Sequence, residues 1–198
     1  MSWITHPYIR AGTLESRTYQ LSIAMRALDG HTMVVLPTGL GKTAIALIVA
    51  ASRLYNEKGK ILMLAPTKPL VEQHLRYFGK YLLVKSDSGS VSSPFVMFTG
   101  DAPPAERTAD WERATVILAT PQVIKNDLIA GRYTLADVTL MIVDECHRAV
   151  GDYADVAQTA KTALEGLPGS DVDADLAARL PQAKGKLRQV LLGLAGQR

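Results

Sequence analysis

Short continuous apolar runs alternate along this chain with longer stretches whose apolar residues recur every three or four positions. Thr32–Leu36, Ile61–Ala65, Phe95–Thr99, Val116–Ala119 and Leu140–Val143 are apolar and bounded by glycine, proline or charge. Such runs predict strands buried on both faces, as in a parallel sheet. Between them, Leu70, Val71, His74, Leu75 and Phe78 share one face of a predicted helix, with Glu72, Gln73, Arg76 and Lys80 mostly opposite. Lys42–Tyr55 is rich in Ala, Leu and Ile and predicts a helix packed directly on the sheet. Pro121–Ala130 predicts a shorter helix with Thr120 as its N-cap. Strand alternating with helix predicts an α/β fold with right-handed crossovers. Lys85–Pro94 is polar and rich in Ser and Gly, and reads as an exposed connection. Glu165–Asp175 combines turn residues with clustered acids, and marks a boundary between a well-patterned core and a poorly patterned end.

Composition narrows the class. With 47% hydrophobic residues in 198, the chain can bury a core, which excludes disorder as the main reading. The single Cys146 excludes a disulfide framework and a Cys-rich zinc module, and suits a reducing cytoplasm. The opening MSWITHPYIRAG has no basic stretch followed by an apolar core, so no signal peptide is expected. The longest apolar run, Ala44 to Ala51, has 8 residues, against about 20 for a membrane span. The net charge of +3 fits a nucleic-acid surface and equally an ordinary solvated one.

The strongest chemistry is Leu36-Pro37-Thr38-Gly39-Leu40-Gly41-Lys42-Thr43, which follows a predicted strand and opens a predicted helix. Gly39 and Gly41 let the backbone turn tightly and bring N–H groups near phosphate oxygens, and the helix adds its positive end. Lys42 supplies charge for the β- and γ-phosphates, and the Thr43 hydroxyl can ligate Mg²⁺. Leu36 stands where the strict phosphate-loop pattern has its first glycine. The plain alternative is a Gly-rich turn with an incidental lysine. At the end of the last predicted central strand come Asp144, Glu145, Cys146 and His147. Ligands of open α/β sheets bind at the carboxyl ends of strands. Asp144 is placed there to hold Mg²⁺ and Glu145 to orient or deprotonate an attacking water. Two acids capping the next helix are the competing reading.

Together these motifs resemble the first RecA-like domain of superfamily 2 helicases, with Asp144-Glu145-Cys146-His147 as a variant of the DEAD/DEAH box. Arg17-Thr18-Tyr19-Gln20 resembles the family's adenine-reading Q-motif, so Arg17 and Gln20 join the cofactor site by resemblance. Ala65-Pro66-Thr67-Lys68-Pro69-Leu70, Thr99-Gly100 and Thr120-Pro121-Gln122 resemble the segments that touch the nucleic-acid backbone in that family. Lys68 and Lys125 add charge, and Thr67 and Thr120, taken singly, read as plain N-caps. His147 is implied to couple hydrolysis to strand binding. The wording LPTGLGKT, APTKPLVEQH and HRAVGDYA is most similar to the archaeal Hef helicase–nuclease and Fanconi anaemia group M translocase family, and RIG-I- and Dicer-type helicases share much of it. The resemblance spans about Thr5 to Val156.

The resemblance implies a RecA-like P-loop fold, a mostly parallel sheet with helices on both faces, with residues 1–157 as the core and 158–198 as a diverged or incomplete end. It implies ATP and Mg²⁺ as cofactors and nucleic acid, DNA ahead of RNA, as partner. Gln189–Gln197 could be a further strand, but Ala195-Gly196-Gln197 stands where the family has a hydroxyl-bearing motif. No second RecA-like domain is recognised, so the chain is expected to be a fragment or a truncated product. The implied activity is an ATP-dependent DNA helicase or translocase motor acting on branched DNA in repair. A catalytically silent binding remnant and an RNA-directed relative are the alternatives. His6, His31 and His74 lack metal-ligand spacing and read as surface or packing residues. Cys146 reads as a small packing residue, and Trp3, Trp111 and the tyrosines are too scattered to argue for base stacking.

Overall fold

The computed structural model describes residues 2–84, 94–146 and the backbone of 188–194. Its elements run α1 (Thr18–Asp29), β1 (Thr32–Leu36), α2 (Lys42–Asn56), β2 (Lys60–Leu64), α3 (Lys68–Tyr81), β3 (Phe95–Phe98), α4 (Pro104–Arg113), β4 (Val116–Ala119), α5 (Pro121–Ile129), β5 (Val138–Val143) and β6 (Arg188–Leu194). The six strands form one sheet in the order β1-β6-β5-β2-β4-β3, and every neighbouring pair is parallel. Parallel pairing follows from the crossover helices α2 to α5, each of which returns the chain to the edge where the previous strand began.

The strand period of two divides the core between the faces. Ile61 and Met63 of β2, Val116 and Leu118 of β4 and Leu140 and Ile142 of β5 face one way, and pack with Ile45, Val49, Val71 and Phe78 of α2 and α3. Leu62, Leu64, Ile117, Ala119, Met141 and Val143 face the other way, and pack with Trp111 and Ile124 of α4 and α5. This two-sided burial is why β4 and the Leu140–Val143 part of β5 read as unbroken apolar runs. In α2 the whole stretch from Ala44 to Ala51 is buried.

Two expectations need correction. β1 is not buried on both faces, since it lies at the sheet edge with Met33 62% and Val35 48% exposed among the described residues. β5 starts two residues ahead of the apolar run, because the buried Thr139 interrupts that run without interrupting the strand. Helices α1 and α4 add polar groups to the interior: α1 buries Gln20 beside Ala24 and Ala27, with Leu21 and Leu28 packed against the same core, and α4 buries Arg107 beside Trp111. The predicted strand near the end is present as the backbone of β6, inserted between β1 and β5. Most of the loop at Lys85–Pro94 and the whole acidic segment Glu165–Asp175 lie outside the described residues.

Candidate nucleotide and metal site

Because all strands are parallel, their carboxyl ends share one edge. Leu64 is in register with Val143 and with Ala119, and Ala119 with Phe98, so β2, β3, β4 and β5 end in one row. On β6, Leu191 pairs with Val143 and Leu194 pairs with Leu36, so β1 reaches about 10 Å past that row, at ~3.3 Å per residue. One strand separates β1 from β5, a lateral distance of about 10 Å. The loop after Leu36 and the acids after Val143 therefore flank the same stretch of edge.

The loop between β1 and α2 is shaped by two left-handed glycines, Gly39 at φ 85° and Gly41 at φ 77°. A Cβ on Gly39 would meet nothing within 4 Å, so position 39 needs glycine for its conformation alone. A Cβ on Gly41 would lie 2.4 Å from Gln20 Nε2, so position 41 needs it for space as well. The first helical bonds of α2 run from the amides of Ala44 and Ile45 to Gly41 O, at 3.0 and 3.2 Å. The amides of Lys42 and Thr43 precede that ladder, and no side chain caps them. Such an end carries positive potential and free donors, which suits a phosphate. Lys42 Nζ donates to Leu36 O at 2.9 Å, which keeps the cation at the loop. Pro37, Thr38, Gly39 and Leu40 are exposed, and Thr43 is half-buried.

Helix α1 braces this loop from behind. The Leu40 carbonyl accepts from Tyr19 Oη at 2.8 Å and from Gln20 Nε2 at 3.2 Å. Gln20 is buried, and Arg17 donates to Glu15 at 3.0 and 3.2 Å. The resemblance assigns Gln20 to adenine and Arg17 to the cofactor site; here Gln20 holds the loop backbone and Arg17 an acidic neighbour.

Asp144 extends the ladder past β5, its amide donating to Leu64 O at 2.8 Å. Its side chain is buried, and Oδ2 lies 2.7 Å from Nε2 of the equally buried His74 on α3. Reading His74 as a surface or packing residue is thus too narrow: it is packed, and its ring is hydrogen-bonded to Asp144. Glu145 is half-buried and has φ 52°, the one non-glycine with positive φ among the described residues. Left-handed backbone costs an L-residue about 1–2 kcal/mol. Cys146 is half-buried against the second core, and burial, then Asp144 and Glu145, push its thiol pKa up. A thiol held protonated is a packing group, not a nucleophile. His147 lies outside the described residues.

Mg²⁺ binds hard oxygens and usually takes one or two from protein, with phosphates and water supplying the rest. Asp144 and the Thr43 hydroxyl offer that set, and the described residues contain no group of three His, Cys, Asp or Glu that could cage a metal alone. The residues present fit Mg²⁺ carried with a nucleotide.

Three more loops reach the same edge. Thr67 and Thr120 occupy the N-cap positions of α3 and α5, yet neither side chain makes a capping bond. Capping therefore does not account for these threonines. Thr67, Lys68, Gly100 and Gln122 are exposed, and Pro66, Thr120 and Lys125 are half-buried. Thr99 and Pro121 are buried, so they shape the loops without reaching solvent. Lys68 forms an ion pair with Asp101, and Gln122 donates to Asn126 at 3.4 Å.

A buried ionic cluster that no sequence spacing announces supports two of these loops. Asp127, fully buried, accepts from Arg107 at 2.7 and 2.6 Å, Arg132 at 2.9 Å and Tyr133 at 2.9 Å. Arg107 also donates to the Ala102 carbonyl, tying the loop after β3 to α4 and α5. Burial alone would raise the Asp127 carboxyl pKa; the bonds from Arg107 and Tyr133 and the charges of Arg107 and Arg132 outweigh it and hold it low. Trp111 stacks on Tyr133 at 4.0 Å in the same layer, so it is a core residue. Among the described residues no helix is long and apolar enough to cross a membrane.

Residues 17–179 match the DEAD/DEAH box helicase family. A Methanocaldococcus jannaschii protein named as a putative ATP-dependent RNA helicase is 43% identical over 86% of this chain and 22% of its own length. The Drosophila melanogaster DEAD-box ATP-dependent DNA helicase Fancm is 39% identical over 75% of this chain and 10% of its own. The crystal structure of the Pyrococcus furiosus Hef helicase domain superposes with a TM-score of 0.75 and 38% identity, over 94% of this chain and 34% of that one. The chain thus spans about a fifth or less of these curated relatives.

Proposed function

Because the chain belongs to the DEAD/DEAH box helicase family, we propose that it is the ATP-binding motor domain of a DNA helicase or translocase that acts on branched DNA in repair. The observation that carries the reading is the shared edge: a phosphate-loop helix end that no side chain caps stands one strand away from Asp144 and Glu145. Lys42 would exchange the Leu36 carbonyl for the β- and γ-phosphates, and the amides of Lys42 and Thr43 would meet phosphate oxygens. Mg²⁺ held by Thr43 and Asp144 would withdraw charge from the β- and γ-oxygens. Glu145 would take a proton from a water attacking the γ-phosphorus in line, as the bond to the bridging oxygen breaks and ADP leaves. Thr67, Lys68, Gly100, Thr120 and Gln122 would grip a strand through its backbone. Such contacts are independent of sequence and weaken steeply with salt.

The test is isothermal titration of ATP·Mg²⁺ into the chain and into Lys42→Ala. Binding by the parent and its loss in Lys42→Ala are expected; unchanged affinity would remove the phosphate-loop assignment. An RNA substrate is the second reading, favoured by the name of the M. jannaschii relative. Competition between forked DNA and duplex RNA of equal length separates the two, with DNA expected to win.

A further inference from the structure

His74 is buried on α3, and its single hydrogen bond among the described residues goes to Asp144. An ionised carboxylate only accepts, so the imidazole carries its proton on Nε2 and donates it to Oδ2. Nδ1 is fully buried and has no hydrogen-bond partner among the described residues. A leucine or phenylalanine would fill the same stripe beside Val71 and Phe78 with no orphaned polar atom. The imidazole is therefore placed for what its other nitrogen does at Asp144.

We propose that His74 is a positioning residue of the metal site: its Nε2–H fixes the Asp144 carboxylate through Oδ2 and leaves Oδ1 as the oxygen presented to Mg²⁺. The proposal rests on the nucleotide reading above. It follows the physics of outer groups at metal centres, where a bond to a ligating carboxylate sets its rotamer and direction before the ion arrives. The contact joins residues 70 positions apart, so it is set by the fold and not by local sequence.

The experiment uses the full chain with Mn²⁺ as the metal probe. Free Mn²⁺ is read by electron paramagnetic resonance in the presence of a non-hydrolysable ATP analogue, and analogue affinity is measured separately in chelator. His74→Gln can place an amide N–H where Nε2 was, whereas His74→Asn is too short to reach Asp144. His74→Asn is expected to weaken Mn²⁺ binding by about 10- to 100-fold. Its metal-free analogue affinity should stay at the parent value, and His74→Gln should restore Mn²⁺ binding. Parent-like Mn²⁺ affinity in both variants, or equal losses in both, would overturn the proposal. Circular dichroism melts show whether each variant is folded; if His74→Asn is not, His74→Leu, which fills the stripe beside Val71 and Phe78 without an N–H donor, takes its place under the same criteria. If the parent chain itself takes up no Mn²⁺ with the analogue, the nucleotide reading has failed and this inference falls with it.

Discussion

Gly41→Ala should destabilise the chain more than Gly39→Ala, and the excess should depend on Gln20. Both glycines are left-handed, at φ 77° and 85°, so each alanine takes on about 1–2 kcal/mol of backbone cost. Loss of unfolded-state freedom returns about 0.4–1 kcal/mol of that at both positions. The difference lies in what the new methyl meets. At position 39 nothing lies within 4 Å; at position 41 the Gln20 amide nitrogen lies at 2.4 Å. That amide is the end of a flexible side chain, so it can move, but it is buried and bonded to Leu40 O. Moving it forfeits that bond, about 0.5–1.5 kcal/mol. Gly39→Ala should therefore cost about 1 kcal/mol and Gly41→Ala about 2 kcal/mol. In a Gln20→Ala background the two should become equal. Urea unfolding of the three single and two double variants measures this as a coupling energy. Equal penalties in the parent background, or an excess at position 41 that survives removal of Gln20, would refute the bracing of the phosphate loop by α1.

Other consequences follow from the same geometry. Glu145→Gln should keep ATP affinity and lose turnover, measured by titration beside a phosphate-release assay; retained turnover would assign the water to another group. Asp127→Ala should cost about 3–5 kcal/mol, because it leaves the buried Arg107 charge uncompensated; urea unfolding reads it. The folded Asp127 carboxyl is held below its ordinary value, so its contribution is complete above about pH 4 and fades as pH falls toward the folded value. Acid titration should show that loss in the parent and not in Asp127→Ala. Cys146, with its thiol pushed up, should react slowly with a disulfide reagent at neutral pH and faster in alkali.

Legibility along the chain tracked how much of a residue's role is local. β2, β4 and β5 were readable because helices cover both faces, so nearly every side chain is apolar. The phosphate loop was readable because its conformation, Gly39 and Gly41 left-handed ahead of an uncapped helix, is carried by consecutive residues. α4 was not, because its inward side is Arg107 and Trp111, and Arg107 is buried only through Asp127 on α5. His74 shows the same limit at the site. Its place on an apolar stripe was visible, but the acid it holds is brought to it by β5 and no spacing predicts that meeting. Thr99 and Pro121 sit in recognisable motifs, yet only the packing shows that they face inward.

The central claim is that one metal–triphosphate lies between the loop at Lys42 and Thr43 and the acids at Asp144 and Glu145. Substituting Fe²⁺ for Mg²⁺ with an ATP analogue, then starting local oxidative cleavage with ascorbate and peroxide, reports which backbone segments lie beside the ion. Mass mapping should place cuts both between Thr38 and Ala44 and between Val143 and Cys146, all suppressed in Lys42→Ala. Cuts confined to one of the two segments would contradict the account.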